Sequence, residues 1–229
     1  MIPETQAWCL NPESSHENYR DLIGIPCEYD FFGLRIMAPS GVYHPHQEST
    51  TRILKKAMPN VYGLRVLEIG AGAGALSLCA EISGARQVVA TDTSEAACAA
   101  MQCNAMLNGA NKLDVRCGNL FAPIAAHERF DLILFNPPLK DKVIEAKSEL
   151  ALCDPSGVLL HSFFMGAPRH VETSPSASIL FLHSPSMSKP LPDRAFKMGR
   201  IEQVSTAWRG GDRIDTWLWN PFAKRPKNV

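Results

Sequence analysis

One segment, residues 65–83, constrains the fold of this chain more than any other. Residues 65–70 (RVLEIG) form a short apolar run that predicts a buried strand, and residues 75–83 carry the apolar pattern of a helix. The turn between them contains Gly70, Gly72 and Gly74. Glycine lets a backbone turn tightly and lets a ligand approach without a Cβ clash. The segment therefore predicts a ligand site at the carboxyl end of a sheet strand.

The rest of the chain continues this alternation of strands and helices. Further strands are predicted at residues 87–92, 113–117, 130–135 and 178–183. Helices are predicted at residues 49–58, 94–107 and 157–171, and Pro168 bends or ends the last one. Residues 29–37 predict a hairpin, and residues 200–208 and 213–219 predict a second one around Gly210-Gly211-Asp212. The alternation implies a parallel, doubly wound sheet with an antiparallel edge.

Net charge, apolar runs and cysteine spacing limit which partners the chain can bind and which disulfide or metal sites it can form. The formal net charge is zero, so no overall field favours nucleic acid or an anionic membrane. No apolar run approaches the roughly 20 residues that a membrane-spanning helix needs. The seven cysteines are scattered and none forms a Cys-x-x-Cys pair, which argues against a disulfide framework and a zinc site. This pattern favours a reducing cytoplasm.

The acidic residue in front of the glycine turn indicates which cofactor the turn binds. Glu68 precedes the first glycine closely, and a carboxylate there repels a pyrophosphate but suits the ammonium group of a methionine moiety. The spacing Gly-x-Gly-x-Gly also differs from the Gly-x-Gly-x-x-Gly pattern of dinucleotide-binding turns. We therefore expect Glu68 and the three glycines to bind S-adenosylmethionine (SAM) rather than NAD.

Residues after the next two strands extend this cofactor site. Asp92 ends the second core strand, where a carboxylate accepts hydrogen bonds from both ribose hydroxyls. The alternative interpretation is an N-cap for the helix that follows. Thr93 is expected beside the adenine, and Asn119 with Leu120 is expected to read its edge, because an Asn side chain offers both a donor and an acceptor. An ordinary turn is the alternative at Asn119.

The candidate catalytic motif is Asn136-Pro137-Pro138-Leu139, directly after a predicted central strand. Pro137 fixes its own φ and keeps the preceding residue extended. The Asn136 side chain and the Pro137 carbonyl can then grip the N–H groups of an amine or amide. Positioning of the nitrogen lone pair supplies most of the catalysis, and no strong base is needed. A plain strand stop is the alternative.

These motifs resemble the N-methylating branch of class I SAM-dependent methyltransferases, and most closely the release-factor and ribosomal-protein glutamine N5-methyltransferases. The resemblance rests on residues 66–76, Asp92 and residues 130–139 (FDLILFNPPL), and covers about residues 30–219. It implies a Rossmann-like α/β fold with a seven-stranded, mostly parallel sheet. It also implies that Glu68, Gly70, Gly72, Asp92 and Asn119 contact SAM, and that Asn136 and Pro137 hold the target nitrogen.

The chain also departs from that family on the acceptor side. Residues 45–49 (PHQES) stand where the family has Pro-Arg-Pro-Glu-Thr, and Leu139 stands where an aromatic residue is usual. The adenine-reading Asp of the family is Asn119 here. A protein glutamine and a small amino-acid-like or natural-product nitrogen therefore both stay open as acceptors. The expected acceptor contacts are Pro138, Leu139, Tyr43, His44 and His46, with an ordinary loop as the alternative for the two histidines.

Three functions follow from these residues. The first is SAM-dependent N-methylation of a small molecule or a protein glutamine. The second is N-methylation of an RNA or DNA base, against which the neutral charge and the lack of a basic stripe weigh. The third is a SAM-binding subunit that supports a partner without activity, against which the intact Asn136-Pro137 pair argues. No bound metal is expected.

The organisation of the chain is predicted in three parts. Residues 1–45 form an extension with a hairpin or lid, residues 46–222 form the methyltransferase domain, and residues 223–229 form a basic tail. The terminal hairpin carries tryptophans that are predicted to be buried, with a homodimer surface as the alternative. These are Trp208, Trp217 and Trp219.

Overall fold

A computed structural model describes residues 25–43, 45–145, 147–185, 187, 197–209 and 211–223. The strands are β1 (Cys27–Phe31), β2 (Leu34–Ala38), β3 (Arg65–Ile69), β4 (Gln87–Asp92), β5 (Leu113–Cys117), β6 (Leu132–Phe135), β7 (Ser178–His183), β8 (Arg200–Arg209) and β9 (Asp212–Asn220). The helices are α1 (Thr50–Ala57), α2 (Ala75–Ile82), α3 (Glu95–Leu107) and α4 (Val158–Gly166). Short 3₁₀ helices lie at Lys147–Ala151, Pro155–Gly157 and Ala167–Arg169.

The seven strands from β3 to β9 form one sheet with the order β5-β4-β3-β6-β7-β9-β8. The first five strands in this order are parallel, and β9 runs antiparallel to both β7 and β8. The predicted seven-stranded, mostly parallel α/β fold with an antiparallel terminal hairpin is therefore confirmed. Strand order reverses between β3 and β6, and open parallel sheets bind ligands at such a point.

Two apolar cores lie on opposite faces of the sheet. Successive side chains of a strand point to opposite faces, and Leu132 and Leu134 pack in one core while Ile133 and Phe135 pack in the other. Helix α4 contributes Phe163 and Phe164 to the second core. All four β6 side chains are buried, as expected of a central strand covered on both faces.

Two asparagines attach the β1–β2 hairpin to the first core. Asn104 lies in α3, and Asn108 is the C-cap of that helix. Asn104 donates to the Met37 carbonyl and accepts from the Met37 N–H, both at 2.9 Å. Asn108 makes the same pair of bonds to the Arg35 backbone, at 2.8 and 2.9 Å. The Asn104 amide also donates to the Ala73 carbonyl in the glycine turn at 2.9 Å. The hairpin, α3 and the turn are thus held in one arrangement.

The structure refines two predicted elements. The helix expected at residues 157–171 ends at Gly166, and a 3₁₀ turn continues through Pro168, because proline cannot donate to the helical ladder. The strand expected from residue 130 begins at Leu132, and Phe130 forms only an isolated bridge with Val171. Among the described residues, no helix is long and apolar enough to cross a membrane.

Two other expectations are corrected. Trp219 is buried, but Trp208 is 72% exposed, because β8 is the outermost strand and has a neighbour on one side only. Cys98 and Cys117 form a disulfide with a Cα–Cα distance of 6.2 Å. The parallel register places Cys117 opposite Asp92, and Cys98 lies one turn into the helix after Asp92, so tertiary structure pairs cysteines that look scattered in sequence. The argument for a reducing cytoplasm loses that support.

Candidate active site

A cavity of about 670 Å³ opens at the carboxyl ends of β3, β4 and β6, within the usual range for small-molecule sites. Most of the residues predicted from the sequence line it. They are Tyr43, Glu68, Gly70, Gly72, Asp92, Thr93, Asn119, Leu120, Asn136, Pro137, Pro138 and Leu139. Gly74 and His46 are not among the lining residues, and His44 lies outside the described residues.

The glycine turn is held by hydrogen bonds to its own protein. Ala71 N–H donates to the Thr91 carbonyl, and Gly74 N–H donates to the Ala71 carbonyl, both at 2.9 Å. Gly70 and Gly72 have φ values of +66° and +56°, a region that only glycine adopts readily. The turn therefore presents a bare backbone surface to the cavity.

Gly74 has a packing role instead of a lining role. It is the N-cap of α2 with φ +82°, and a Cβ at this position would lie 2.8 Å from Met101 Cγ on α3. The third glycine of the motif therefore lets α2 begin close to α3, and its predicted contact with SAM stays a prediction.

Asp92 connects the end of β4 to the glycine turn. Its Oδ2 accepts from Gly72 N–H at 2.9 Å, and its Oδ1 accepts from Ser94 N–H at 2.9 Å. Ser94 itself caps α3 by accepting from Ala97 N–H. An ionised carboxylate has about four acceptor sites, so two bonds leave capacity for the predicted ribose hydroxyls.

Glu68 is a buried carboxylate beneath the turn, 3% exposed. Ser77 on α2 donates a hydrogen bond to its Oε2. Burial raises the pKa of Glu68 to about 8, the Ser77 bond opposes this shift, and the negative charge of Asp92 adds to it. A cation near this carboxylate would lower its pKa again, which suits the ammonium group predicted to bind here.

Residues after β4 and β5 form the outer wall of the part of the cavity where SAM is expected to bind. Asn119 and Thr93 are exposed, and Leu120 has a φ of +47°. The Leu120 side chain packs against the second core. The residues therefore stand at the cavity edge, where the adenine contacts were predicted.

The Asn-Pro-Pro corner closes the opposite side of the cavity. Pro137 and Pro138 are buried, and they follow β6 directly. The Asn136 Nδ2 donates to Thr51 Oγ1 on α1 at 3.2 Å. Asn136 Oδ1 is buried and has no hydrogen-bond partner among the described residues. A buried acceptor without a donor is uncommon in native proteins and calls for an explanation.

The loop before α1 adds one lining residue and one supporting residue. Tyr43 lines the cavity, and its hydroxyl lies 3.1 Å from Thr50 Oγ1. His46 is buried; its Nδ1 accepts from Glu48 N–H at 3.2 Å, and its Nε2 lies 3.4 Å from Arg209 Nη2. The histidine therefore organises the loop in this structure, and its predicted contact with the acceptor stays a prediction.

The cavity residues that were not predicted from the sequence include three polar ones from distant segments. Thr51 lies just after the PHQES loop, and Arg209 and Asp212 flank the tip of the terminal hairpin. Asp212 forms an ion pair with Lys140, which follows the Asn-Pro-Pro-Leu motif. The sequence predicted acceptor contacts from the loop, through Tyr43, His44 and His46, but no local signal showed that the terminal hairpin reaches the cavity.

The residues present fit SAM. A bare glycine surface, a buried carboxylate and an acceptor at the end of the next strand match the ammonium, sulfonium and ribose parts of this molecule. Among the described residues, no group of three or more His, Cys, Asp or Glu side chains could hold a metal ion.

Comparison with known proteins also finds methyltransferases. The methyltransferase small domain family matches residues 33–170. A release factor glutamine methyltransferase of Xylella fastidiosa is 33% identical over 123 residues, which cover 50% of this chain and 44% of that protein. An electron transfer flavoprotein beta subunit lysine methyltransferase of Mus musculus is 32% identical over 101 residues, covering 44% of this chain and 39% of that protein. The chain thus spans about half the length, or less, of these curated relatives.

Solved structures share the fold. A 16S rRNA methyltransferase of T. thermophilus, solved with AdoMet and guanosine, superposes with a TM-score of 0.65 at 20% identity. The match covers 85% of this chain and 49% of that one. The prediction of SAM as the cofactor is confirmed by the family match. The chain therefore belongs to the methyltransferase small domain family.

Proposed function

We propose that this chain transfers the methyl group of SAM to an amide or amine nitrogen, in a small molecule or in a protein glutamine. The observation that carries the proposal is Asn136 Oδ1, a buried acceptor without a partner among the described residues. It stands in the same cavity as the glycine turn and Asp92. An N–H group of the methyl acceptor would supply the hydrogen-bond donor that Asn136 Oδ1 lacks.

The chemistry requires positioning more than proton transfer. When bound, SAM would supply a methyl group on a positively charged sulfur: the nitrogen lone pair would form the N–CH₃ bond as the S–CH₃ bond breaks in line, the sulfur would leave as a neutral thioether, and one N–H proton would pass to solvent. Asn136 Oδ1 and the Pro137 carbonyl accept from the N–H groups of the target and turn its lone pair toward the cofactor side of the cavity. The same bonds stabilise the positive charge that grows on the nitrogen.

The burial of the Asn136 side-chain oxygen supports this role energetically. Leaving a buried acceptor unpaired costs about 1–3 kcal/mol, so an apolar residue would serve a plain strand stop better. The two prolines that follow contribute no N–H that could satisfy Oδ1 locally. The names of the curated relatives, a glutamine and a lysine methyltransferase, also support a nitrogen acceptor.

The part of the cavity beside the Asn-Pro-Pro corner, where the methyl acceptor is expected to bind, supports a partly apolar substrate. Leu139 and Ile214 line it together with Leu152. Leu139 packs against both cores of the protein, so it occupies a fixed position beside the corner. A planar amide can lie against this surface.

The test is methyl-labelled SAM added to the whole protein with a cell extract, followed by separation of the label into protein, RNA and small molecules. We expect label in protein or in small molecules. Label in RNA alone would replace the acceptor class proposed here by a nucleic-acid base. No transfer to any fraction, despite SAM binding, would favour a non-catalytic subunit.

Asn136→Ala is the decisive variant. It should lower methyl transfer by about 100- to 1000-fold, as expected when a group that stabilises developing charge is removed. The dissociation constant for SAM should stay within about threefold of the wild-type value. The matched control is Asn111→Ala, at an exposed asparagine outside the cavity. Full transfer by Asn136→Ala would overturn the role of the corner.

A further inference from the structure

The contact between Asn136 and Thr51 joins two residues that are 85 positions apart in sequence. Asn136 follows β6, and Thr51 lies in the first turn of α1. Both line the cavity. The bond therefore joins the candidate catalytic amide to α1, a helix that contains none of the motifs identified in the sequence.

The orientation of the amide decides what Asn136 can do. The last torsion of an Asn side chain is broad, and a half-turn exchanges its oxygen and its nitrogen. With Nδ2 toward Thr51, Oδ1 is left to accept an N–H group. In the reverse orientation an NH₂ group would face the N–H groups of the target, and two sets of donors repel each other.

Thr51 is suited to hold one orientation. Its side chain is 7% exposed, and a β-branched residue has few accessible χ1 rotamers in a helix. A hydroxyl carries two acceptor lone pairs besides its own rotatable proton, so Thr51 Oγ1 can accept from Nδ2. Next to it, Thr50 Oγ1 lies 3.1 Å from the Tyr43 hydroxyl, which anchors the first turn of α1.

We propose that Thr51 is a positioning residue, which keeps the Asn136 amide oxygen directed toward the acceptor nitrogen. This inference rests on the proposed function, since it assigns the amide oxygen to a target N–H group. It adds a residue from outside the Asn-Pro-Pro motif to the machinery of methyl transfer.

The test compares Thr51→Val with Thr51→Ser. Valine keeps the shape of threonine but removes the acceptor, and we expect kcat/KM for the acceptor fraction found by labelling to fall about tenfold. Serine keeps the hydroxyl and should retain kcat/KM within about threefold. The dissociation constant for SAM should be the same in both variants and in the wild type.

The control is Thr216→Val on β9. Thr216 is buried like Thr51, and its hydroxyl has no hydrogen-bond partner among the described residues. It does not line the cavity. The same chemical change there should leave kcat/KM unchanged, which separates loss of the bond from loss of a buried hydroxyl.

A spectroscopic measurement reports on the bond without any acceptor. The side-chain NH₂ resonances of Asn136 can be assigned on the full chain by their loss in Asn136→Ala. Thr51→Val should shift them, and Thr51→Ser should restore positions close to those of the wild type.

The outcomes separate this inference from the proposed function. If Thr51→Val keeps the wild-type kcat/KM or leaves the Asn136 NH₂ resonances in place, Thr51 has no positioning role, whatever Asn136→Ala does. If Asn136→Ala itself keeps full transfer, the proposed function fails first.

Discussion

The glycine turn and the Asn-Pro-Pro corner lie at the ends of neighbouring strands, β3 and β6, yet they are built in opposite ways. The turn uses positive φ angles, and its N–H groups at Ala71, Gly72 and Gly74 are bonded within the protein. The corner has two buried prolines without N–H groups. Its buried side-chain oxygen, Asn136 Oδ1, has no partner among the described residues.

The difference indicates how binding and reaction are divided. The turn is completed by Asp92, Thr91 and α3, so its shape exists before any ligand arrives. The corner leaves one acceptor, Asn136 Oδ1, for an external donor. Changes in the turn should therefore alter stability and cofactor binding, whereas changes in the corner should alter transfer.

The strongest way to break the turn is Gly74→Ala. A Cβ there would meet Met101 Cγ at 2.8 Å, in a residue with φ +82°. Backbone strain and overpacking together should lower the free energy of unfolding by about 3 kcal/mol, measured by urea denaturation.

Gly33→Ala is the matched control for this prediction. Gly33 has nearly the same φ, +83°, but a Cβ would meet nothing within 4 Å. Strain alone should lower the free energy of unfolding by about 1 kcal/mol. Equal effects of the two substitutions would show that contact with α3 does not constrain the turn.

The pH dependence of stability tests the buried carboxylate under the turn. The pKa of Glu68 is about 8, against an ordinary value of 4.5. The folded chain then holds a proton that the unfolded chain releases, so this contribution is complete below about pH 4.5 and is lost as the pH rises to about 8. Between these limits the free energy of unfolding should fall by up to about 1.4 kcal/mol per pH unit.

Glu68→Gln removes the titrating group and should flatten this part of the pH profile, as followed by denaturation at a series of pH values. Glu202→Gln, at a surface carboxylate paired with Arg200, serves as the control and should leave the slope unchanged. If Glu68→Gln keeps the wild-type slope, the carboxylate is already ionised in the folded protein.

The smallest change in stability is expected at the corner, from Pro137→Ala. Loss of the fixed φ should lower the free energy of unfolding by less than about 1 kcal/mol. The dissociation constant for SAM should not change, but misplacement of Asn136 should lower transfer by about tenfold. A large loss of SAM binding in this variant would mean that the turn and the corner are not separate in function.

Local patterns predicted the elements well because they depend on neighbouring residues. The bounds of β4, β5 and β7 agree with the predicted strands, since apolar runs end at polar or turn residues. The helix after Gly157 was less well bounded, because a 3₁₀ turn that contains Pro168 replaces the α-helix after Gly166. Contacts over long sequence distances were missed: the disulfide of Cys98 with Cys117, and the reach of Arg209 into the cavity.

The sequence by itself determined the glycine turn, the carboxylates that flank it and the diproline corner, because glycine and proline restrict the backbone wherever they occur. Only the tertiary structure decided that Asn136 meets Thr51, that His46 meets Arg209 and that Gly74 makes room for Met101. These contacts depend on how separate elements pack around the sheet. No local sequence pattern predicts these contacts. Each residue is compatible with its own strand, helix or turn whether or not the contact with its partner forms.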